Sequence, residues 1–176
     1  VAAATPLPVA VQNAPQYLGR ALSGEDLRRL RERCPNLAAV KGEDAALGIR
    51  RIVEIAGDQL HILGGRGGLE MTDCLRVGCE GFVLAPDIAP VAARIFDQWQ
   101  AGDHAGAEAL YARALPPVTF AMQSLENLIT YGKRMFAANA GLAVHDRAPC
   151  LPATPFGVEM ADRWAAVLRD LQQAKA

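Results

Sequence analysis

Short apolar runs alternate with helix-forming segments over the first hundred residues, and this alternation most constrains the fold. The runs are continuously apolar and begin about every 20 to 30 residues. Continuously apolar strands that are each followed by a helix are typical of a parallel sheet covered by helices. The predicted strands are Pro8–Gln12, Leu37–Lys41, Leu60–Gly64 and Gly81–Ala85. The pattern therefore predicts an α/β fold with four successive βα units.

The helices between these strands are predicted by apolar spacing and by signals at their ends. Ser23, followed three residues later by Asp26, has the pattern of a helix N-terminus. The apolar stripe from Ile49 to Ala56 has helical spacing. Four βα units leave two architectures open, an open doubly wound sheet and half of an eight-stranded barrel.

Strand patterns stop after Gly102, and three helical segments follow. They are "DHAGAEALYARALPPVTFAM", "SLENLITYGKRMFAANAG" and "FGVEMADRWAAVLRDLQQAKA". The proline-rich stretch "HDRAPCLPATP" between the last two predicts an extended linker. We therefore predict a region of four βα units over residues 1–101 and a C-terminal helical extension over residues 102–176.

Composition excludes several classes of partner and site. The formal net charge is −1 over 176 residues, which gives no basic surface for nucleic acid or for an anionic membrane. No apolar run approaches the roughly 20 residues of a membrane span, and the first residues lack a charged signal region, so a cytoplasmic location is expected. The four cysteines have no C-x-x-C spacing, which favours reduced cysteines over a metal site. Small molecules and other protein chains are the expected partners.

Lys41 stands at the end of the apolar run "LAAV", where a buried ammonium group is costly. Parallel α/β proteins place their reacting groups at the carboxyl ends of their strands. Burial favours the uncharged amine, which attacks carbonyl carbons and forms Schiff bases. The chain has three lysines beside fifteen arginines, and arginine cannot form an imine. From these residues alone, Lys41 can be either a nucleophile or a charged side chain that extends from the strand end into solvent.

Three other strand ends carry polar or glycine-rich sequence. The stretch "LGGRGG" places Gly65 and Arg66 at a strand-to-helix turn, where backbone amides and a guanidinium can hold a carboxylate or phosphate. A plain tight turn is an equally good explanation of these glycines. Gln12 and Asn13 end the first strand and can orient a substrate, although Asn13 also suits a turn. Asp87 follows the fourth strand and can either cap the next helix or face a site, and we expect the capping role.

Taken in order, these segments resemble the dihydrodipicolinate synthase and N-acetylneuraminate lyase family of pyruvate-dependent class I aldolases. "PVAVQNAP" is similar to the family's fifth-strand segment "vlvYNvP", and "CPNLAAVKGED" to "pNivgiKds", whose lysine forms the imine with pyruvate. "LHILGGRGG" is similar to the "f.vlsGdd" loop, and "VGCEGFVLAPDIAP" to "GadGviSv.aNvaP". The stretches "AGDHAGAEALYARALPPV" and "RAPCLPATP" look like the family's helical tail.

The resemblance implies the C-terminal half of a (β/α)8 TIM barrel, strands five to eight, followed by a three-helix extension. It implies that Lys41 forms a covalent imine with pyruvate or another 2-oxo acid and that no separate cofactor is needed. Gly65 would shape the pocket beside the bound keto acid, and Val83 would line it. A half-barrel has open sheet edges and an exposed apolar interior, so a homo-oligomer is expected.

Three positions depart from the family pattern. Gln12 stands where the family has a proton-relaying tyrosine, and an amide cannot transfer protons near neutral pH. Tyr17 aligns with the arginine that binds the second substrate's carboxylate in dihydrodipicolinate synthases, a contact that Arg66 could supply here. We therefore expect a reaction on another 2-oxo acid or sugar-derived acid. The family's Thr-Thr segment does not occur in the sequence, so we expect the C-terminal part of a longer protein, weakly active or inactive alone.

Two other functions are open at this point. Gln12 also fits a catalytically altered or inactive barrel that binds a small acid without chemistry. An open-sheet module that binds an anion through the glycine loop would depend on Gly65 and Arg66 instead of Lys41.

Overall fold

The computed structural model describes residues 2–148 and 150–174. The chain divides into two compact units, the first ending at Val83 and the second beginning at Leu84. The boundary predicted after residue 101 separates the βα units from the helical extension, and it stays a prediction. The structure assigns the helix that precedes residue 101 to the second unit.

The first unit is built on a parallel sheet whose strands follow the order of the chain. Among the described residues the sheet has four strands, β1 Val9–Asn13, β2 Leu37–Gly42, β3 His61–Gly64 and β4 Gly81–Phe82. Each strand pairs in parallel with the next. The predicted α/β class is therefore confirmed. A doubly wound sheet reverses its strand order part of the way along, whereas sequential order is the arrangement of consecutive βα units in a barrel.

Helices connect these strands as predicted. They are α1 Pro15–Leu18 and α2 Gly24–Arg33 after β1, α3 Ala46–Ala56 after β2, and α4 Met71–Arg76 after β3, with 3-10 turns at Ala2–Ala4 and Arg66–Gly68. Ser23 caps α2, because its hydroxyl accepts a hydrogen bond from the Asp26 backbone while the Asp26 carboxylate accepts one from the Ser23 backbone. This reciprocal capping satisfies two backbone donors at the helix start, where the sequence predicted it.

The helices of the first unit bury one face of the sheet. Val40 and Ile62 are register partners on this face and are only 0% and 1% exposed. The apolar side chains of α2, α3 and α4 that complete the core are Leu27, Ile49, Ile52, Ala56 and Cys74. Since side chains alternate along a strand, Gln12 and Lys41 lie on the opposite, more accessible face.

The fourth strand is shorter than predicted. The apolar run covers Gly81–Ala85, but β4 comprises Gly81–Phe82 alone. Its partner β3 ends at Gly64, and one further hydrogen bond, from the Val83 backbone N–H to the Gly64 carbonyl at 2.9 Å, extends the pairing. The apolar run is therefore longer than the stretch that can pair with β3.

The second unit is helical. Its helices are α5 Ala89–Gln100, α6 His104–Ala121, α7 Leu125–Asn127, α8 Lys133–Ala140 and α9 Pro155–Gln173, and a π-helical turn at Leu128–Gly132 joins α7 to α8. The three predicted tail helices thus appear as α6, the segment from α7 to α8, and α9. Among the described residues of the predicted linker, which runs from His145 to Pro155, helix occurs at Pro155 alone, where α9 begins, and there is no strand. Residues 175 and 176 of the last predicted helix lie outside the described residues.

Asp87 does not cap the helix that follows it, so this prediction is wrong. Ile88 occupies the N-cap position of α5, without a side-chain capping bond. Asp87 is instead buried in the second unit, and its Oδ1 has no hydrogen-bond partner among the described residues. Burial raises the pKa of Asp87 from its ordinary 3.8 to about 6, although hydrogen bonds from its own backbone and from Ile88 act to lower it.

The remaining compositional predictions concern membranes, cysteines and metals. None of the helices within residues 2–148 and 150–174 is long and apolar enough to cross a membrane. All four cysteines are free thiols. In the described part of the chain, no three side chains of His, Cys, Asp or Glu are grouped so as to hold a metal ion.

Candidate functional site

Lys41 lies near the carboxyl end of β2, between the neighbouring strands β1 and β3. Its register partners are Gln12 on β1 and Leu63 on β3. Register partners point to the same face of a sheet, so Gln12 is beside Lys41 on the face that the helices leave open. The Lys41 side chain is 23% exposed. The amine is therefore largely enclosed but still accessible from solvent.

The closest charged neighbour of Lys41 is Glu43, a residue that the sequence analysis did not single out. The Glu43 Oε1 atom lies 2.5 Å from the Lys41 Nζ atom. Glu43 is only 5% exposed, and buried carboxylates are rare unless they are paired. The two residues are two apart along an extended chain and so project to the same side. The motif "KGED" carried this signal as an acidic residue at strand spacing from the lysine.

Two further donors reach the same carboxylate. The Arg66 backbone N–H donates to Glu43 Oε2 at 2.7 Å, and Gln12 Nε2 is 3.5 Å from Glu43 Oε1, at the long limit of a hydrogen bond. Glu43 therefore joins the ends of β1, β2 and β3. The glycine loop does present a backbone amide to a carboxylate, as its sequence suggested, but in this structure the carboxylate belongs to the protein.

The backbone around Glu43 is fixed by the neighbouring strand ends. The Glu43 N–H donates to the Asn13 carbonyl at 2.8 Å, which extends the pairing of β1 and β2 past Gly42. The Asn13 side chain both donates to and accepts from the Leu22 backbone at 2.9 Å. These bonds reach nine residues along the chain, so they differ from the local turn contact that the sequence suggested for Asn13. They hold the end of β1 against the segment leading into α2.

Gly65 leaves the space that the Glu43 side chain occupies. A Cβ atom on Gly65 would lie 2.8 Å from Glu43 Cδ and 2.9 Å from its Oε1. A separation below 3.0 Å is shorter than real Cβ contacts. A larger residue at position 65 would therefore require the end of the Glu43 side chain to move.

Arg66 contributes its backbone to the site while its guanidinium group is bound elsewhere. Its Nη1 atom donates to Glu70 Oε2 at 2.7 Å, and the Arg66 side chain is 17% exposed. Both residues have left-handed backbone conformations, with φ of 52° at Arg66 and 56° at Glu70. Residues other than glycine rarely adopt such angles. In this structure the guanidinium is held by a carboxylate of its own loop.

Val83 and Tyr17 complete the positions that the sequence analysis named. Val83 is 45% exposed and hydrogen-bonds through its backbone to Gly64 at the end of β3. Burial raises the pKa of Tyr17 above its ordinary 10.0, the negative charge of Glu43 raises it further, and the charge of Arg66 lowers it. Tyr17 therefore shares the electrostatic surroundings of the site.

The structure brings four of the five predicted site residues together around one carboxylate. Lys41, Gln12 and the Arg66 backbone contact Glu43, and Gly65 makes room for it. Val83 lies one strand further along the sheet, beyond β3. An amine beside a buried carboxylate, at the carboxyl ends of parallel strands, has the groups that nucleophilic attack and proton transfer require.

Comparisons with known proteins agree on one family. The sequence model of the Dihydrodipicolinate synthetase family matches residues 1–169. A curated relative, 4-hydroxy-tetrahydrodipicolinate synthase from Sorangium cellulosum, is 29% identical over 180 aligned positions, which cover 98% of this chain and 56% of the relative. The chain thus spans about half the length of the curated relative that it matches.

Solved structures of the same family share the fold. The 4-hydroxy-tetrahydrodipicolinate synthase of Methylacidiphilum fumariolicum SolV matches with a TM-score of 0.83 at 20% identity, over 97% of this chain and 57% of that one. A prophage protein of the dihydrodipicolinic acid synthase family from E. coli K12, solved in complex with pyruvate, matches with a TM-score of 0.82 at 20% identity, over 95% and 58%. Dihydrodipicolinate synthase from Rhodopseudomonas palustris gives a TM-score of 0.80 at 20% identity, over 91% and 55%. With the family match over residues 1–169, the chain belongs to the dihydrodipicolinate synthetase family.

Proposed function

We propose that this chain carries the Schiff-base half of a lyase or aldolase site that acts on pyruvate or another 2-oxo acid. The observation that supports this most directly is the placement of the Lys41 amine 2.5 Å from a buried carboxylate at the carboxyl end of β2. Enzymes of the family form a covalent Schiff base on a lysine and use no external cofactor. The E. coli relative was solved with pyruvate, which supports a 2-oxo acid as the substrate class.

In this proposal the Lys41 amine attacks the keto carbon of the substrate and loses water to give a protonated imine. The imine withdraws electrons from the adjacent carbon, so an enamine forms or a carbon–carbon bond breaks. Gln12 lies next to Lys41 on the open face and orients the substrate through its amide. Gly65 gives the pocket its depth beside the keto acid, and Val83 contributes an apolar wall.

We propose that Arg66 binds the substrate carboxylate after it exchanges its Glu70 partner for the substrate. An arginine forms paired hydrogen bonds with either carboxylate. The ion pair with Glu70 at 2.7 Å keeps the guanidinium in place until a substrate arrives. Binding then depends on a competition between two carboxylates for one guanidinium.

We further propose that these residues form strands five to eight of a (β/α)8 barrel, with a helical extension, and belong to a longer protein that forms a homo-oligomer. The sequential strand order and the single helix-covered face of the sheet support the half-barrel. The spans of 55% to 58% of the related structures also support it. In a barrel the open face carrying Gln12 and Lys41 would be enclosed by the other strands. The chain alone is then expected to be weakly active or inactive.

The substrate is proposed to differ from that of a dihydrodipicolinate synthase. Gln12 replaces the tyrosine of the family's proton relay, and Tyr17 replaces the arginine for the second substrate's carboxylate. The same replacement at Gln12 favours a second candidate function, a barrel that binds a small acid without reacting with it.

Intact-mass measurement with borohydride separates these two functions. The full-length protein and its Lys41→Arg variant are incubated with a panel of 2-oxo acids and reduced with borohydride, and their intact masses are measured. Shifts of the thermal unfolding temperature report binding. The enzyme function predicts a reduced adduct on the wild type and none on Lys41→Arg. Thermal stabilisation of both proteins without any adduct would instead establish the binding function.

A further inference from the structure

We propose that Glu43 is the proton-transfer group of this site and replaces the tyrosine that relays protons elsewhere in the family. This role rests on the proposed function of Lys41. Glu43 lies outside the position of the family's tyrosine, which Gln12 occupies in this chain.

The first support is that the Glu43 carboxylate lies close to both Lys41 and Gln12. Glu43 Oε1 lies 2.5 Å from the Lys41 Nζ atom and 3.5 Å from Gln12 Nε2. Gln12, which occupies the position of the family's tyrosine, is therefore next to Glu43, a carboxylate that can carry a proton. Its other oxygen, Oε2, accepts the Arg66 backbone N–H at 2.7 Å. This bond holds the carboxylate in position while leaving Oε1 to exchange protons.

The second support is the chemistry of the neighbouring side chains. An amide such as Gln12 does not exchange protons near neutral pH, and the Arg66 guanidinium stays charged and is paired with Glu70. The pKa of Tyr17 is raised above 10.0 by burial and by the charge of Glu43. This makes its hydroxyl a poor base at neutral pH. Compared with these three side chains, Glu43 is the group suited to accept and return a proton.

In the proposed mechanism, imine formation begins with the Lys41 side chain as an ammonium group and the Glu43 side chain as a carboxylate. Lys41 gives one proton to Glu43, and the free amine forms a bond to the keto carbon of the substrate. A second proton passes from the nitrogen to the former keto oxygen, giving a carbinolamine. Glu43 then returns its proton to that oxygen as the carbon–oxygen bond breaks. Water leaves, the nitrogen keeps one proton as the iminium ion, and Glu43 is again a carboxylate.

The test measures how fast the imine forms as a function of pH. The full-length protein is mixed with pyruvate, or with whichever 2-oxo acid labels it, and cyanoborohydride, and adduct mass is followed between about pH 6 and 8. We expect Glu43→Gln to slow adduct formation about 100-fold, the lower end of typical acid–base contributions. Its rate should also rise with pH, because hydroxide or a buffer base must take the proton that Glu43 no longer accepts. The wild-type rate should change little over this range.

The control variant is Asp44→Asn, which removes the adjacent carboxylate. Asp44 Oδ1 accepts a hydrogen bond from the Ala45 backbone at 2.8 Å instead of contacting the amine. This variant should keep the flat pH profile. Glu43→Asp retains a carboxylate and should also keep it, at a reduced rate. If Glu43→Gln does not fold, the profile of Glu43→Asp decides, and a rate that rises steadily with pH in this variant would contradict the proposal.

The outcomes separate the two proposals. A wild-type adduct with an unchanged rate and profile in Glu43→Gln overturns the role of Glu43 and leaves Lys41 as the nucleophile. The absence of a wild-type adduct with every 2-oxo acid overturns the proposed function itself.

Discussion

Glu43 and Gly65 show how one side chain and one missing side chain define the site at the scale of single residues. The carboxylate fills the space that a Cβ on Gly65 would need, at 2.8 Å from Glu43 Cδ. Glu43 is also buried and paired with Lys41. A change at either position therefore acts on the geometry of the amine.

Gly65→Ala is expected to displace the Glu43 side chain. A crowded buried group typically costs about 1–3 kcal/mol, so the free energy of unfolding in urea should fall by that amount and adduct formation should slow. Gly81→Ala is the matched control, because its added Cβ would lie at an ordinary 3.4 Å from Leu63. Equal stability losses for the two variants would contradict the close-approach role of Gly65.

Asp87 predicts a pH-dependent stability that does not involve the site around Lys41. Its folded pKa of about 6 lies above its ordinary 3.8, so the folded state holds the proton more tightly than the unfolded state. Stability is then lost as the pH rises from about 4 to 6, and the difference corresponds to about 3 kcal/mol.

Asp87→Asn should therefore be more stable than the wild type at pH 8 by up to about 3 kcal/mol, and close to it at pH 4. Urea denaturation at both pH values checks this. Asp97→Asn, at an exposed position on α5, should show no such difference between the two pH values. A constant stability difference between Asp87→Asn and the wild type at pH 4 and pH 8 would show that the ionisation of Asp87 is not responsible.

At the scale of elements, helix α3 has one buried face and one exposed face. Ile49 is fully buried against the sheet, while Leu47, two residues earlier, is 81% exposed. The helical spacing in the sequence predicted this stripe from Ile49 onward. The packing of α3 matters for function because the helix follows directly after Glu43 and Asp44.

Ile49→Ala should lower the free energy of unfolding by about 2–5 kcal/mol, because it leaves a cavity in the core. Leu47→Ala on the same helix should change it by no more than about 0.5 kcal/mol. Urea unfolding of both variants tests this. Similar losses at the two positions would mean that α3 does not pack as described.

The sequence predicted the elements well where a simple periodic pattern determines them. The starts of the strands and the capping of α2 by Ser23 follow from local chemistry. The length of β4 could not be predicted, because it depends on where β3 ends at Gly64. Asp87 was misassigned for a similar reason, since its burial depends on helices far along the chain. Lys41 and Gln12 follow from their places at strand ends. For Glu43 the sequence shows only its spacing from Lys41, because its burial and its contacts depend on β1 and the Gly65 turn.

At the scale of the whole molecule, the open face of the sheet is where we expect the reaction to take place. The first unit presents Gln12 and Lys41 on a face that its own helices do not cover. The chain also spans little more than half of the related family members. We therefore expect the reaction to need the full-length protein, in which the remaining strands would enclose this face. The same protein is the right material for locating the reactive lysine.

The most direct test is to find which lysine a 2-oxo acid modifies. The full-length protein is incubated with pyruvate or related 2-oxo acids, reduced with borohydride, digested and sequenced by mass spectrometry. We predict that the added mass lies on the peptide containing Lys41, while Lys133 and Lys175 stay unmodified. Modification of those lysines alone, or no modification with any 2-oxo acid, would contradict Schiff-base chemistry at this site.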